Sequence, residues 1–286
     1  MDQIIIKCPA KINLSLDVTG IREDGYHYVK MIMQSISLLD EITVKKRNEG
    51  IKVYCDVNDV PCDEKNSAYK AAEIMFKAYN LKGGVDILID KHIPVSAGLA
   101  GGSTDAAGVI KAVNILYGLN LSIEDMKKIG IKIGADVPYC ITGGTAVASG
   151  IGDVITELPD INNLWCVLAK PTISVLTGEV YSKLKMDEIV RHPRTDVMIE
   201  YIKNGEYKNL AEEMVNVLEL VTIKKYPIIF EIKNIMMEFD AEGCLMSGSG
   251  PTVFGLFEEK AAAEKCYNRL RDYLKDVFLV NMYNEK

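Results

Sequence analysis

Apolar and polar residues alternate through residues 4–18. Ile12, Leu14, Leu16 and Val18 take one face of a strand, and Lys11, Asn13, Ser15 and Asp17 take the other. Solvation is the ordinary fate of such a polar face. Gly20 and Gly25 break the alternation within residues 19–28 (TGIREDGYHY), which read as a loop. Strands resume at 29–39, 41–46 and 51–57, an antiparallel, β-rich opening. From Asn66 the spacing turns helical (Ala68, Ala71, Ala72, Met75, Tyr79) as far as Gly83-Gly84, and the β-branched run 85–89 predicts another strand. Ser122-Ile-Glu-Asp125 resembles a capping box opening a short helix that ends near Gly130 or Gly134. Residues 134–140 (GADVPYC) read as a loop entering a helical turn, where Pro138 is tolerated. Residues 145–149 and 154–158 form a hairpin about Gly150-Ile-Gly152. The polar, turn-rich stretch 159–163 (PDINN) then marks a boundary, giving domains 1–158 and 159–286. Beyond it come a strand at 164–169 and helices at 177–185, 196–203, 207–220 and 224–238. Strands near 243–247 and 252–257, a helix at 260–275 and a strand at 277–282 complete the chain. The pattern is α+β, in two closely packed domains.

Between the strand at 85–89 and the next helix lies the stretch 93–107 (IPVSAGLAGGSTDAA). Gly98, Gly101 and Gly102 let main chain approach a ligand closely. Ser103, Thr104 or Asp105 can cap the helix that follows, whose apolar positions are Ala106, Ile110, Val113 and Tyr117, and Gly118 suits its C-terminus. A helix start carries unpaired N–H groups and partial positive charge, so the stretch suits an anion; read blandly, it is a turn joining strand to helix. It ends in no Gly-Lys-Ser/Thr and has no G-x-G-x-x-G spacing, so neither standard phosphate-binding signature applies.

Composition narrows the function classes. A chain of 286 residues, 48% hydrophobic and 26% charged, has the makings of an ordinary soluble protein with a large core. A net charge of −7 argues against a nucleic-acid or anionic-membrane surface as the main partner. Seven cysteines without a C-x-x-C pair, and three scattered histidines, argue against a structural zinc site and a disulfide framework, so no metal-ligating set is assigned. The N-terminal segment lacks a signal-peptide pattern and no run reaches membrane-spanning length, so the expected location is the cytoplasm.

Four features could carry chemistry. Asp136 precedes a helical turn, as either an N-cap or a catalytic carboxylate. Lys11 stands on the polar strand face. Residues 246–254 (MSGSGPTVF) place Gly248 and Gly250 between two strands, either as a flexible hairpin or as a phosphate-lining turn. Tyr26 and His27 lie in a loop, where exposed aromatic rings suit recognition.

Together these elements resemble the GHMP kinases, whose three motifs occur in order. They are Pro9-Ala-Lys-Ile-Asn-Leu-Ser-Leu16, the stretch 94–106, and Leu245-Met-Ser-Gly-Ser-Gly-Pro-Thr-Val253. Gly20-Ile-Arg-Glu-Asp-Gly-Tyr-His27, Met33-Gln-Ser-Ile36, Gly134-Ala-Asp-Val-Pro and Gly143-Gly-Thr-Ala146 point to the branch acting on a cytidine-diphosphate-linked methylerythritol, in the non-mevalonate route to isoprenoid precursors. Ser96, Thr104 and Tyr139 depart mildly from the commoner Ala, Ser and Phe. The resemblance implies a ribosomal-protein-S5-domain-2-like ATP-binding domain followed by a ferredoxin-like one. It implies ATP with Mg2+ as co-substrate, no tightly bound prosthetic group, small-molecule substrates, no nucleic acid or membrane partner, and a monomer or homodimer. Pro94, Val95, Ser96, Ala97, Gly98, Leu99, Ala100, Gly101, Gly102, Ser103 and Thr104 would wrap the phosphates. Asn66 would lie near the adenine, whether or not it also caps a helix. Asp136 would be the general base, and Lys11 beside it would keep the carboxylate ionised and offset charge on the moving phosphoryl group. Asn13, Tyr26 and His27 would hold the cytidine end, Tyr181 would stack on the cytosine, and Gly248 and Ser249 would line the acceptor site. A homoserine or mevalonate kinase, which should lack the Asp24-Gly-Tyr-His27 segment, and a catalytically silent sensor on the same fold are the alternatives.

Overall fold

The computed structural model describes residues 1–284, which group into two compact units. The first takes Met1–Ala10, Leu38–Val95 and Ala100–Gly143; the second takes Lys11–Ser37, Ser96–Leu99 and the chain from Gly144 onward. Packing therefore does not divide the chain between 158 and 159. Two long strands, β1 (Gln3–Ile21) and β2 (His27–Arg47), each give residues to both units. β2 also replaces two expected strands. Asp40 stays in the strand between them because its buried carboxylate accepts hydrogen bonds there.

The first unit continues with β3 (Gly50–Cys55), α1 (Ser67–Ala78), β4 (Gly84–Asp90), α2 (Gly101–Leu116), α3 (Ile123–Gly130) and α4 (Val137–Thr142). β4 lies between β3, to which it is parallel, and the C-terminal half of β2, to which it is antiparallel. Parallel pairing needs a crossover, and α1 supplies it. α2 is buried almost all round from Thr104 to Val113, which its alanine-rich sequence permits. At Gly108 a Cβ would run into Cys8 Sγ of β1, so this glycine sets how closely α2 packs.

In the second unit β5 (Thr145–Ser149) pairs with the N-terminal half of β2 and with β6 (Val154–Glu157), forming the expected hairpin. There follow β7 (Trp165–Lys170), α5 (Thr177–Lys183), α6 (Thr195–Asn204), α7 (Tyr207–Glu212), α8 (Glu219–Lys225), α9 (Ile228–Glu238), β8 (Gly243–Met246), β9 (Val253–Phe257), α10 (Lys260–Arg271) and β10 (Asp276–Asn281). The last four strands form an antiparallel sheet in the order β10-β7-β9-β8, the ferredoxin-like arrangement. The expected helix 207–220 is interrupted: residues 213–218 leave it because their backbone is used elsewhere. Leu16 N donates to Val215 O at 2.9 Å and Val217 N to Leu16 O at 3.0 Å, pairing that a helix cannot offer.

Candidate active site

In the first unit, α2 begins at Gly101, earlier than the sequence suggested. Ala100 occupies the cap in a left-handed conformation (φ 60°) with no side-chain cap. Ser103, Thr104 and Asp105, the expected caps, lie inside the helix, and Ser103 N and Thr104 N donate back to Ala100 O at 3.0 and 2.9 Å. The helix start carries no side-chain cap bond, and Gly102 is exposed there, so its first N–H groups suit an anion. Ile93 and Thr104 are buried at either end of the stretch, while Pro94 is half-buried and Val95 exposed.

The two candidate caps resolve in opposite senses. Asn66 caps α1: its Oδ1 accepts from Ala68 N at 2.8 Å while Nδ2 donates to Pro61 O at 2.6 Å. Asp136 precedes α4 but makes no side-chain cap bond, so its half-buried carboxylate is not committed to that helix end.

In the second unit the polar face of β1 is not solvated: Lys11, Asn13, Ser15 and Asp17 are all buried. Lys11, 4% exposed, donates from Nζ to Asn13 Oδ1 at 2.8 Å and to Gly98 O at 3.1 Å, and its backbone N–H reaches Leu99 O at 3.1 Å. Removing an ammonium from water costs several kcal/mol even after relaxation, so a lysine kept here needs a use. Asn13 Nδ2 contacts Met31 Sδ at 3.1 Å, and Asp17 pairs with His192 at 2.7 Å.

The segment 96–99 is anchored by buried Ala97 and Leu99, with Ser96 exposed at φ 53°. Gly98 (φ 77°) must be glycine, because a Cβ would collide with Ser247 O and come within 3.0 Å of Gly250 O. Ser247 Oγ donates to Gly98 O at 3.0 Å, and a Cβ on Gly248 would stand 3.6 Å from Lys11 Nζ. Lys11, Gly98 and the turn at Ser247–Gly248 therefore converge.

Residues that sequence reasoning missed hold that turn in place. Asn216 Nδ2 donates to Met246 O at 2.7 Å and Gly248 O at 2.8 Å. Thr222 Oγ1 donates to Ser249 O at 3.2 Å, Thr177 and Ser249 hydroxyls share a hydrogen bond of 2.9 Å, and Glu219 accepts from Met246 N at 2.8 Å. The one available signal was Asn216 itself, a polar residue in an apolar run, which the helical spacing absorbed. Also missed was the buried set Asp40, Lys91 and Asp105 in the first unit.

At the far end of β1, Tyr26 is exposed, with its N–H on Asp24 Oδ1 at 3.1 Å, and His27 opens β2. The His27 ring lies 5.1 Å from that of Tyr181 on α5, tilted by 47°. Chain separation hides this pair from any sequence window. A cavity of about 600 Å³ in the second unit, bounded by Val190, Leu220, Ile223 and Leu245, is lined by none of the expected site residues. All seven cysteines are free thiols, and burial pushes Cys244 up to about 11 and Cys266 up to about 12.

Comparison with known proteins settles what such a set belongs to. Residues 66–144 match the GHMP kinases N terminal domain and residues 198–276 the GHMP kinases C terminal domain. The chain belongs to the GHMP kinase family. It is 50% identical over 286 residues to the 4-diphosphocytidyl-2-C-methyl-D-erythritol kinase of Alkaliphilus oremlandii (strain OhILAs), covering 99% of this chain and 98% of that one. It superimposes on a crystal structure of 4-(cytidine 5'-diphospho)-2C-methyl-D-erythritol kinase with a TM-score of 0.83 and 30% identity, covering 99% of this chain and 100% of the other. A homoserine kinase from Cytophaga hutchinsonii shares the fold at a TM-score of 0.79 and 19% identity, over 98% of this chain and 96% of that one. The enzyme thus has the two-domain GHMP kinase fold, with the two matched segments on either side of the polar stretch 159–163.

Proposed function

We propose that this enzyme transfers the γ-phosphoryl group of ATP to the C2 hydroxyl of 4-diphosphocytidyl-2-C-methyl-D-erythritol, giving the 2-phosphate and ADP in the non-mevalonate route to isoprenoid precursors. The observation that supports this acceptor is the pairing of His27 with Tyr181, two rings at the exit of the Asp24-Gly-Tyr-His27 loop. Such a pair suits a flat, hydrogen-bonding base: one ring stacks on it while the other bonds its edge. Tyr26 and Asn13 complete the cytidine end, and Gly248 and Ser249 line the acceptor.

The uncapped start of α2 suits the triphosphate, with the β- and γ-phosphates toward Ser103 and Thr104 and the remainder of 94–102 wrapping them. Asn66 serves the adenine end while capping α1. Asp136 takes the proton from the attacking hydroxyl, and the buried ammonium of Lys11 offsets negative charge on the moving phosphoryl group. Transfer is direct and in line, without a covalent intermediate, so the protein's part is positioning and charge stabilisation. Among the described residues no group of three His, Cys, Asp or Glu side chains could by itself hold a metal. Mg2+, which neutralises phosphate charge when bound, would arrive with ATP and be held largely by phosphate oxygens and water.

No helix among the described residues is long and apolar enough to cross a membrane, and seven free thiols fit a reducing compartment; we place the enzyme in the cytoplasm. The test is ADP release with ATP–Mg2+ and a panel of the cytidyl substrate, homoserine and mevalonate. Turnover of the cytidyl substrate is expected. Turnover of only homoserine or mevalonate would reject this acceptor, and no turnover at all would favour a silent sensor.

A further inference from the structure

Two carboxylates and one ammonium are buried together in the first unit, beside the start of α2. The side chain of Lys91, just beyond β4, is 5% exposed, and those of Asp40 on β2 and Asp105 on α2 are 0% and 4% exposed. Lys91 Nζ donates to Asp105 Oδ2 at 2.8 Å and to Asp40 Oδ2. Asp40 Oδ1 accepts the backbone N–H groups of His92 at 2.6 Å and Ile93 at 2.8 Å. Asp105 Oδ1 is buried without a hydrogen-bond partner. Two buried carboxylates thus share one ammonium, and an enclosed carboxyl oxygen left without a donor favours the protonated acid. Gly101, the first residue of α2, makes room for the cluster: a Cβ there would stand 2.9 Å from Lys91 Nζ and 3.2 Å from Ile93 Cγ2.

The cluster ties together the segment that enters the phosphate loop (91–93) and the helix turns that leave it. We propose that Lys91, Asp40 and Asp105 are positioning residues for the phosphate loop, and that a proton held on Asp105 is part of the clamp. The inference rests on reading that loop as the nucleotide site.

Charge gives the clamp its pH dependence. Lys91 balances one carboxylate; ionising the second leaves a buried negative charge near a helix start that must receive phosphates. Burial, then the charge of Asp40, pushes Asp105 up to about 7 against the pull of Lys91. Burial alone would lower Lys91, but Asp105 and Asp40 outweigh it and raise its pKa, so the lysine stays charged. Cys8 of β1 meets the same carboxyls. Burial, then Asp105 and Asp40, hold its thiol well above the usual range; Lys111 on α2 opposes this, and Cys140 on α4 adds to it. Cys8 therefore stays neutral. The proton exchanged near neutrality is the one on Asp105.

The test is ADP–Mg2+ affinity of the whole chain by titration calorimetry, from about pH 6 to about pH 8.5, spanning the carboxyl's titration. Comparing variants at each pH cancels the ligand's own ionisation. The wild type should weaken by about tenfold relative to Asp105→Asn as pH rises through neutrality, since Asn keeps a hydrogen-bond donor and cannot ionise. Lys91→Met should weaken binding at every pH by about ten- to a hundredfold, the scale of a misplaced binding group. Lys91→Arg, which keeps the charge, should recover most of the loss and serves if the Met variant does not fold. Parallel pH profiles for wild type and Asp105→Asn, or full affinity in a folded Lys91→Met, would overturn the clamp. A wild type that binds no ADP would reject the nucleotide reading itself.

Discussion

Asn216 gives its amide hydrogens to two carbonyls of the Met246–Gly250 turn, and its Oδ1 accepts Leu218 N at 3.0 Å. Asn216→Ala removes all three bonds in a buried setting, where each unsatisfied partner costs roughly 1–3 kcal/mol. Urea unfolding should therefore show a loss above the cost of a single such partner, and KM for the acceptor should rise more than KM for ATP, because the turn is proposed to line the acceptor. Asn216→Asp should be worse than Ala, since it sets a carboxylate against two carbonyl oxygens. At Asp136 the expectation is reversed. It makes no cap bond to α4, and Asn nearly matches its shape while lacking its basicity, so Asp136→Asn should keep the fold and ADP affinity, while turnover falls by about 10²–10⁴-fold. Near-normal turnover would remove Asp136 from the role of base. Asp136 was visible in the sequence as an aspartate before a helical turn. Asn216 was not, because its function depends on carbonyls 30 and 32 residues away.

At the scale of elements, helical spacing located α2 but not its first residue. Ser, Thr and Asp are good caps by local chemistry, yet here they fall inside the helix. The turn starts at Ala100 instead, where the chain leaves a left-handed residue. The approach of α2 to β1 shows the same dependence on packing. Replacing Gly108 by Ala should favour an isolated helix by about 1 kcal/mol, but in this fold the new Cβ meets Cys8 Sγ. Gly108→Ala alone should therefore lower the thermal midpoint, overpacking costing about 1–3 kcal/mol. In a Cys8→Ala background the same substitution should be neutral or stabilising. A double-mutant cycle measures this, and additive effects would exclude the contact. The interrupted run 207–220 is a third case: its spacing is helical, and only pairing with Leu16 draws residues 215–217 out.

For the whole molecule, the buried carboxyl of Asp105 couples folding to pH. Its folded pKa of about 7 lies above the ordinary carboxylate value that it regains on unfolding. Between those values the folded state binds more protons, so stability falls as pH rises through the window and levels off above about 7. Urea midpoints measured from acid to neutral pH should show this decline, and Asp105→Asn should flatten it. The acidic net charge of the chain gives no hint of the effect, since it arises from one enclosed group.

The linear order of residues determined the α+β class, the positions of most strands and helices, the glycine stretch at 94–106 and the family resemblance, because each rests on short-range spacing or local composition. Tertiary structure decided that the polar face of β1 is buried, that His27 meets Tyr181, that Asn216 braces the turn at Gly248, and that Asp40, Lys91 and Asp105 share one enclosed site. It also decided that packing groups 11–37 with residues beyond 143. The physical reason is common to all of these. Alternation tells which side chains share a face, but whether that face meets water or other chain segments depends on contacts between distant residues, and burial turns an ordinary Lys or Asp into one whose charge must be used.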